Sequence, residues 1–162
     1  MNALHRMERF LDQHMIPFDL VVHPHTQTST ETAHAAGVSP DRVAKGVLLD
    51  GAGCQIVAMI PANQEVHLGK LAQDVGMEVS LADEASVRRL FTECEPGVVP
   101  GLPNAWGVEI VWDDALMEQP DVYLEAGDHE RLLHIETRYL REVFENAPHC
   151  HFSQPRMQHL HS

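Results

Sequence analysis

The spacing of apolar residues alternates along the chain between a helical period and a strand period. Residues 3–15 carry an apolar side chain every three or four positions, which predicts a helix ending before Pro17. Similar patterns predict further helices over 28–36, 68–75, 83–91 and 137–144. Apolar, partly β-branched runs predict strands over 18–23, 43–49, 55–60, 77–81, 108–112, 122–125 and 132–135. About seven short strands interleaved irregularly with short helices favour an α+β fold, built on a mixed β-sheet or barrel.

The chain is expected to form one domain over residues 1–147, followed by a His-rich tail over 148–162. A chain of 162 residues is long enough to fold around one core without a disulfide or a metal. The tail contains four His, two Pro and one Cys, a composition that predicts poor order. Twelve histidines invite a metal hypothesis, but no HExxH or paired CxxC motif is present, so no metal site is predicted.

The net charge of the chain argues against some classes of function. There are 24 Asp and Glu against 11 Lys and Arg, a formal charge of −13, which argues against general binding of nucleic acids or anionic membranes. It leaves room for a small basic pocket that reads one end of a nucleic acid. No apolar run approaches the roughly 20 residues that span a bilayer, and the N-terminus lacks the apolar segment of a signal peptide. A cytoplasmic location without membrane association is therefore expected.

Lysine is rare, since the basic residues are nine Arg and two Lys. Lys45 lies within a strand that is apolar on both faces, where an ammonium group is costly unless it serves a purpose. Gly46 removes the next side chain and permits close approach of backbone or ligand. Lys45 is therefore either a cation at the bottom of a cleft or an edge-strand lysine that reaches water.

Two further segments carry candidate chemistry. Residues 95–103 are rich in Gly and Pro, and the N–H groups of Gly97, Val98, Val99 and Gly101 can cradle a carboxylate, a phosphate or an oxyanion. The alternative is a long packed connection. Residues 125–130 end a strand with a Gly-Asp-His turn, in which Asp128 and His129 either orient a water or form an ordinary solvated turn.

In order and spacing, these pieces resemble the YbaK/EbsC family, the prolyl-tRNA synthetase-associated editing domain. The resemblance runs from about Phe18 to Phe144. It is carried by Thr32-Ala33 with Ala36-Gly37-Val38, Val43-Ala44-Lys45, Leu68-Gly69-Lys70-Leu71, Glu95-Pro96-Gly97-Val98-Val99-Pro100, Ala105-Trp106-Gly107 and Val122 to Glu130. The family lysine is commonly followed by Asn or Thr, whereas here Gly46 follows.

The resemblance implies an α+β domain that hydrolyses, in trans, the ester of a tRNA mischarged with a small amino acid. It implies Lys45, Asp128 and His129 as catalytic residues, and a substrate surface formed by Gly46, Gly97, Val98, Val99, Pro100, Gly101 and Gly127. No cofactor is implied. The expected partner is the acceptor end of a mischarged tRNA, with an aminoacyl-tRNA synthetase as a second candidate. Arg42, Lys70, Arg88 and Arg89 are the candidates for contacts with the tRNA.

Two other functions fit the same residues. One is a non-catalytic module on this fold that senses an amino acid, a tRNA or a synthetase. The other is a hydrolase of some other small ester or amide. Substitution of Lys45 distinguishes an enzyme from a binding module, because only an enzyme has turnover to lose.

Overall fold

The computed structural model describes residues 2–156. The helices in this range are α1 (Ala3–Gln13), α2 (Ser29–Ala36), α3 (Leu68–Val75), α4 (Glu84–Leu90), α5 (Asp114–Met117) and α6 (Thr137–Val143). The strands are β1 (Asp19–Val22), β2 (Val43–Asp50), β3 (Gln55–Pro61), β4 (Gln64–Val66), β5 (Ser80–Leu81), β6 (Glu109–Asp113), β7 (Asp121–Glu125), β8 (Arg131–Glu136), β9 (His149–Cys150) and β10 (Ser153–Pro155). Single-turn 3₁₀ helices cover Pro40–Arg42 and Pro103–Trp106.

Strand β2 is central to a mixed sheet with the order β1-β8-β7-β2-β3-β6-β9. It pairs antiparallel with β3 from Ala44↔Pro61 to Asp50↔Gln55, so the strands predicted over 43–49 and 55–60 form a hairpin. Its first residues pair in parallel with β7, and its last residues pair with β5. The α+β architecture predicted from the sequence is therefore confirmed.

Both faces of the central strands are covered. One face packs against α1, α4, α6 and the Gly/Pro loop, and its buried side chains include Met7, Leu48 and Trp112. The other face packs against α3 and the C-terminal segment, with Leu49 and Phe152 fully buried. Because β2 is covered on both sides, a charged side chain on it must find its partners at a strand end.

The C-terminal segment differs from the prediction of poor order. Residues 148–156 fold back on the domain: β9 pairs with β6, and β10 pairs with β4 in a second, two-stranded sheet. The side chain of Phe152 is fully buried, and its burial stabilises the segment by about 2 kcal/mol. The polar composition of the segment gave no indication that one buried side chain, Phe152, would attach it to the domain. Met157 to Ser162, with His159 and His161, lie outside the described residues.

A buried carboxylate fixes the same segment. Asp113 is fully buried at the end of β6 and accepts hydrogen bonds from the N–H groups of Phe152 (3.0 Å) and Ser153 (2.6 Å) through Oδ2. Its Oδ1 accepts from the N–H of Ala115 (2.8 Å), where it caps α5. These hydrogen bonds stabilise the carboxylate of Asp113 and join β6, α5 and the C-terminal segment.

We expect Asp113→Ala to lower the free energy of unfolding by about 2–4 kcal/mol, because it leaves buried N–H groups without acceptors. Urea denaturation measures the change. Glu109→Ala, on the exposed start of the same strand, is the control and should change stability by less than about 0.5 kcal/mol. Equal losses in the two variants would contradict this assignment of Asp113.

Candidate functional site

Lys45 lies at one end of the central sheet, opposite Ile60 in the β2–β3 pair. Its Nζ donates to the backbone carbonyl of Gln64 (2.9 Å) and to that of Ala62 (3.3 Å). Ala62 lies in the short connection between β3 and β4, and Gln64 is the first residue of β4. An ammonium group has three N–H donors, so two are used by the fold and one remains for a ligand.

The surroundings of Lys45 lower the pKa of its ammonium group. Burial is the largest cause, the positive charge of Arg156 adds to it, and the carboxylate of Glu65 opposes both. The side chain of Lys45 is therefore half-buried rather than extended to water from a sheet edge.

Lys45 faces a pocket of about 290 Å³. Among the residues predicted from the sequence, Gly46, Gly97, Val98, Val99 and His129 line it as well. The remaining lining residues are Gln27, Thr28, Ser29, Thr30, Ala62, Glu125 and Arg156. One pocket thus contains residues from β2, the Gly/Pro loop and the turn before β8.

Gly46 is required by close packing between side chains. A Cβ added at Gly46 would lie 2.6 Å from Cγ1 of Val99 and 3.1 Å from Cγ1 of Val57. The missing side chain thus lets the Gly/Pro loop sit directly on β2. This position of the loop brings Val98 and Val99 to the wall of the pocket.

The Gly/Pro loop offers fewer free N–H groups than its sequence suggests. The N–H of Val98 donates to the carbonyl of Glu95 (3.0 Å), and the N–H of Gly101 donates to that of Glu125 (2.8 Å). Within residues 2–156, the N–H groups of Gly97 and Val99 have no acceptor.

Pro100 and Gly101 are buried and do not line the pocket. A Cβ on Gly101 would lie 2.8 Å from the backbone nitrogen of Glu125, so this glycine serves the packing of the loop on β7.

The Gly-Asp-His turn separates its three predicted residues. Gly127 is buried with φ +101°, against Cys94, outside the pocket lining. Asp128 also lies outside the lining and binds its own turn, through the N–H of Glu130 (2.9 Å) and Nε of Arg131 (2.6 Å). Burial raises the pKa of Asp128, but these hydrogen bonds outweigh burial and leave that pKa below its usual range. Only His129 turns toward the pocket.

His129 is paired with a carboxylate that the sequence analysis did not single out. Its backbone N–H donates to Oε1 of Glu125 (3.1 Å), and its Nδ1 lies 3.5 Å from Oε2, beyond good hydrogen-bond geometry. The pKa of His129 is raised, mainly by the carboxylate of Glu125 and in spite of burial, with smaller effects of Glu95 and Asp128. Its φ of +57° is unusual for a residue with a side chain and marks a backbone held by its surroundings.

The start of α2 forms another wall of the pocket. Thr28 caps the helix by accepting from the N–H of Glu31 (3.2 Å), as its sequence spacing predicts. The N–H groups of Ser29 and Thr30 have no acceptor within residues 2–156. The capping pattern was visible in the sequence, but its position beside Lys45 depends on the fold.

The four basic residues predicted to contact tRNA lie outside the pocket lining. Arg42 pairs with Asp121 (2.9 Å), Arg88 lies 3.7 Å from Glu84, and Arg89 donates to Ser86 (3.0 Å). Lys70 is exposed on α3. Their role in tRNA binding stays a prediction.

A larger cavity, of about 520 Å³, lies elsewhere, between Trp112, Met117 and Phe144. It contains none of the predicted site residues. Within residues 2–156, no three His, Cys, Asp or Glu side chains are grouped so that they could hold a metal ion. In the same range, no helix combines the length and apolarity needed to cross a membrane.

The chain is similar to known proteins both in sequence and in fold. A family model for an aminoacyl-tRNA editing domain matches residues 23–143. A crystal structure of a hypothetical protein has 22% identity and a TM-score of 0.81, over 92% of this chain and 99% of that one. A "putative trans-editing enzyme for prolyl tRNA synthetase" has 20% identity and a TM-score of 0.80, over 95% of this chain and 98% of the other.

A longer protein contains the same fold. It is a "putative signal transduction protein" from Marinobacter aquaeolei VT8, with 18% identity and a TM-score of 0.72, over 92% of this chain and 30% of that one. At such identities these structures show a shared fold. No curated protein matches the chain by sequence.

We expect Glu125→Gln to lower the pKa of His129 toward the ordinary histidine value of about 6.5, because the main stabiliser of the imidazolium is removed. An NMR titration of the His129 ring protons measures the shift. Glu95→Gln is the matched control and should lower this pKa by a smaller amount. A larger effect of Glu95→Gln would contradict the pairing of His129 with Glu125.

Proposed function

Because the chain belongs to the aminoacyl-tRNA editing domain family, we propose that it hydrolyses in trans the ester bond of a tRNA mischarged with a small amino acid. One observation carries the proposal: Lys45, the Gly/Pro loop and His129 line a single pocket. The proposed partner is the acceptor end of the mischarged tRNA, and an aminoacyl-tRNA synthetase is a second proposed partner.

The chemistry asks little of the protein, because an aminoacyl ester is already activated. Water adds to the carbonyl carbon, and the bond from that carbon to the ribose oxygen breaks. The ribose oxygen leaves with a proton as a hydroxyl group, and the amino acid leaves as a carboxylic acid that ionises. Such a reaction needs an oriented water and donors for the developing oxyanion, and it needs neither a metal nor a covalent nucleophile.

Lys45 supplies the cation of the site. Two of its donors are held by the carbonyls of Ala62 and Gln64, so the third is left for a ligand in the pocket that Lys45 lines. We assign this donor to the terminal phosphate or the ester oxygen at the tRNA 3′ end. The N–H groups of Gly97 and Val99, both without an acceptor in residues 2–156, are assigned to the carbonyl oxygen of the ester.

His129 is assigned to the attacking water. Since Nδ1 faces Glu125, Nε2 is the ring nitrogen left for the pocket, and in the neutral ring it accepts a hydrogen bond from the water. Glu125 acts through His129 as a positioning residue. The vicinal hydroxyl of the terminal ribose shares the orientation of the water. Asp128, committed to Arg131, takes no part in this assignment.

The dimensions of the pocket support a small substrate. Its volume of about 290 Å³ is at the lower end of the range for ligand pockets, about 300–1,000 Å³. Val98, Val99 and Ala62 are the apolar residues of its lining. A pocket that small side chains enter and larger ones do not enter is the second sieve of an editing system.

We expect Lys45→Ala to abolish deacylation of the substrate, because the fixed cation is lost. The assay is hydrolysis of a panel of Ala-, Ser-, Cys- and Thr-charged tRNAs, in which the wild type should cleave one or two species. Arg138→Ala, which removes an exposed positive charge on α6, is the control and should retain activity. No cleavage by the wild type at micromolar protein would reject the deacylase and leave a binding module or a hydrolase of another small ester or amide.

We expect Val99→Ala to relax the sieve, because it removes two methyl groups from the wall above Gly46. Selectivity for the smallest accepted side chain over one that is larger by one or two carbons should fall about tenfold. Ratios of kcat/KM for the two charged tRNAs measure this effect. Val22→Ala, at an exposed position of β1, should leave the ratio unchanged. An unchanged ratio in Val99→Ala would place the sieve elsewhere.

A further inference from the structure

A second positive charge reaches the pocket from outside the residues that match the family. The family match ends at residue 143, whereas Arg156 lines the pocket together with Lys45. The C-terminal segment, predicted to be a disordered tail, thus contributes a side chain to the candidate site.

The same pair of short strands positions both cations. Strand β10 pairs with β4 so that Pro155 lies opposite Gln64, and the carbonyl of Gln64 is the nearer acceptor of Lys45 Nζ, at 2.9 Å. Arg156 is the residue directly after Pro155. Its backbone is therefore placed by the strand whose carbonyl holds Lys45.

The C-terminal segment is attached both to the main sheet and to β4. The buried ring of Phe152 and the two N–H groups bound by Asp113 attach the segment to the main sheet. The carbonyl of Phe152 accepts from the N–H of His67 (2.8 Å), which ties the segment to the end of β4. Gln154 adds a hydrogen bond from Nε2 to Oε1 of Glu65 (3.1 Å).

Arg156 has no ion-pair partner within the described part of the chain, although the carboxylate of Glu125 lines the same pocket. The charge of Arg156 opposes that of Lys45, which helps to lower the pKa of the lysine. Two like charges beside one pocket repel each other, and a bound anion relieves that repulsion. The free N–H groups of Ser29 and Thr30 point to the same kind of ligand.

We propose that Arg156 binds a phosphate of the tRNA 3′ end together with Lys45, so that the C-terminal segment completes the substrate site. This inference rests on the proposed function. A phosphodiester fits because a guanidinium group can bind two phosphate oxygens at once. It also fits the charge of −13, since an acidic protein needs its few phosphate contacts to be local.

The test uses the full chain with Arg156→Gln, Arg156→Lys and the control Arg138→Gln, which removes the same charge beyond the far end of β8. A fluorescent acceptor-stem RNA hairpin ending in an unpaired, uncharged CCA is titrated by anisotropy at several salt concentrations. Arg156→Gln should raise its Kd about threefold to tenfold. The slope of log Kd against log salt should fall by about 0.7, the value for one contact to a single strand.

Deacylation gives an independent readout of the same contact. For Arg156→Gln we expect KM to rise by a similar factor with kcat within about twofold. Arg156→Lys should restore only part of the loss, because lysine keeps the charge but binds a single phosphate oxygen. Arg138→Gln should match the wild type in Kd, salt slope and KM.

The outcomes separate this inference from the proposed function. If Arg156→Gln matches Arg138→Gln in Kd and salt slope while the wild type deacylates, the phosphate contact is wrong and the deacylase stands. If the wild type cleaves none of the tRNAs but Arg156→Gln still loses affinity and slope for the hairpin, the deacylase is wrong and the phosphate contact stands. A loss of kcat alone, without a change in KM or salt slope, would overturn the contact.

Discussion

The ammonium group of Lys45 sets the constraint on which the rest of the site depends. A charge that has left bulk water must be given hydrogen-bond acceptors, and a sheet covered on both faces has none to spare along its length. The carbonyls of Ala62 and Gln64 satisfy this need at the end of the β2–β3 pair. Because β4 follows at once and pairs with β10, the acceptors of Lys45 and the C-terminal segment are held by one piece of backbone.

The opposite wall of the pocket follows from a different constraint, the close approach of the Gly/Pro loop to the sheet. Gly46 leaves space for Val99, and Gly101 allows the loop backbone to meet that of β7. The donors of Val98 and Gly101 are used in holding the loop, which leaves those of Gly97 and Val99 without an acceptor in residues 2–156. The loop is thus both a packed connection and a source of donors, although its sequence presents these as alternatives.

What the sequence could predict here depended on whether a known residue pattern specifies the contact. Residue patterns in the sequence specify the β2–β3 hairpin, the cap at the start of α2 and the unusual position of Lys45 in an apolar strand. These features can be recognised because neighbouring residues determine them. Glu125 could not be singled out, since its side chain meets His129 only through a turn with positive φ. Asp128 belongs to the same sequence motif as His129. Its side chain instead accepts a hydrogen bond from Arg131, and no residue pattern in the sequence predicts that contact.

Arg156 shows the limit most clearly. A segment with four histidines and two prolines has no periodic pattern of apolar residues. Two groups order it: the side chain of Phe152 and the carboxylate of Asp113 in β6, which is forty residues before its partner Ser153. Long-range hydrogen bonds of this kind are set by the assembled fold.

The net negative charge of the chain determines what the pocket must do in the proposed reaction. With a charge of −13, the chain as a whole repels RNA, so in the proposed reaction attraction at Lys45 and Arg156 decides where a tRNA end approaches. Under the proposed function, contacts with only one or two phosphates would let the tRNA leave quickly after cleavage of the ester. Selection must then be made by the aminoacyl group within the pocket. In the proposed reaction we assign the size limit of the pocket to Val99, which packs directly over Gly46.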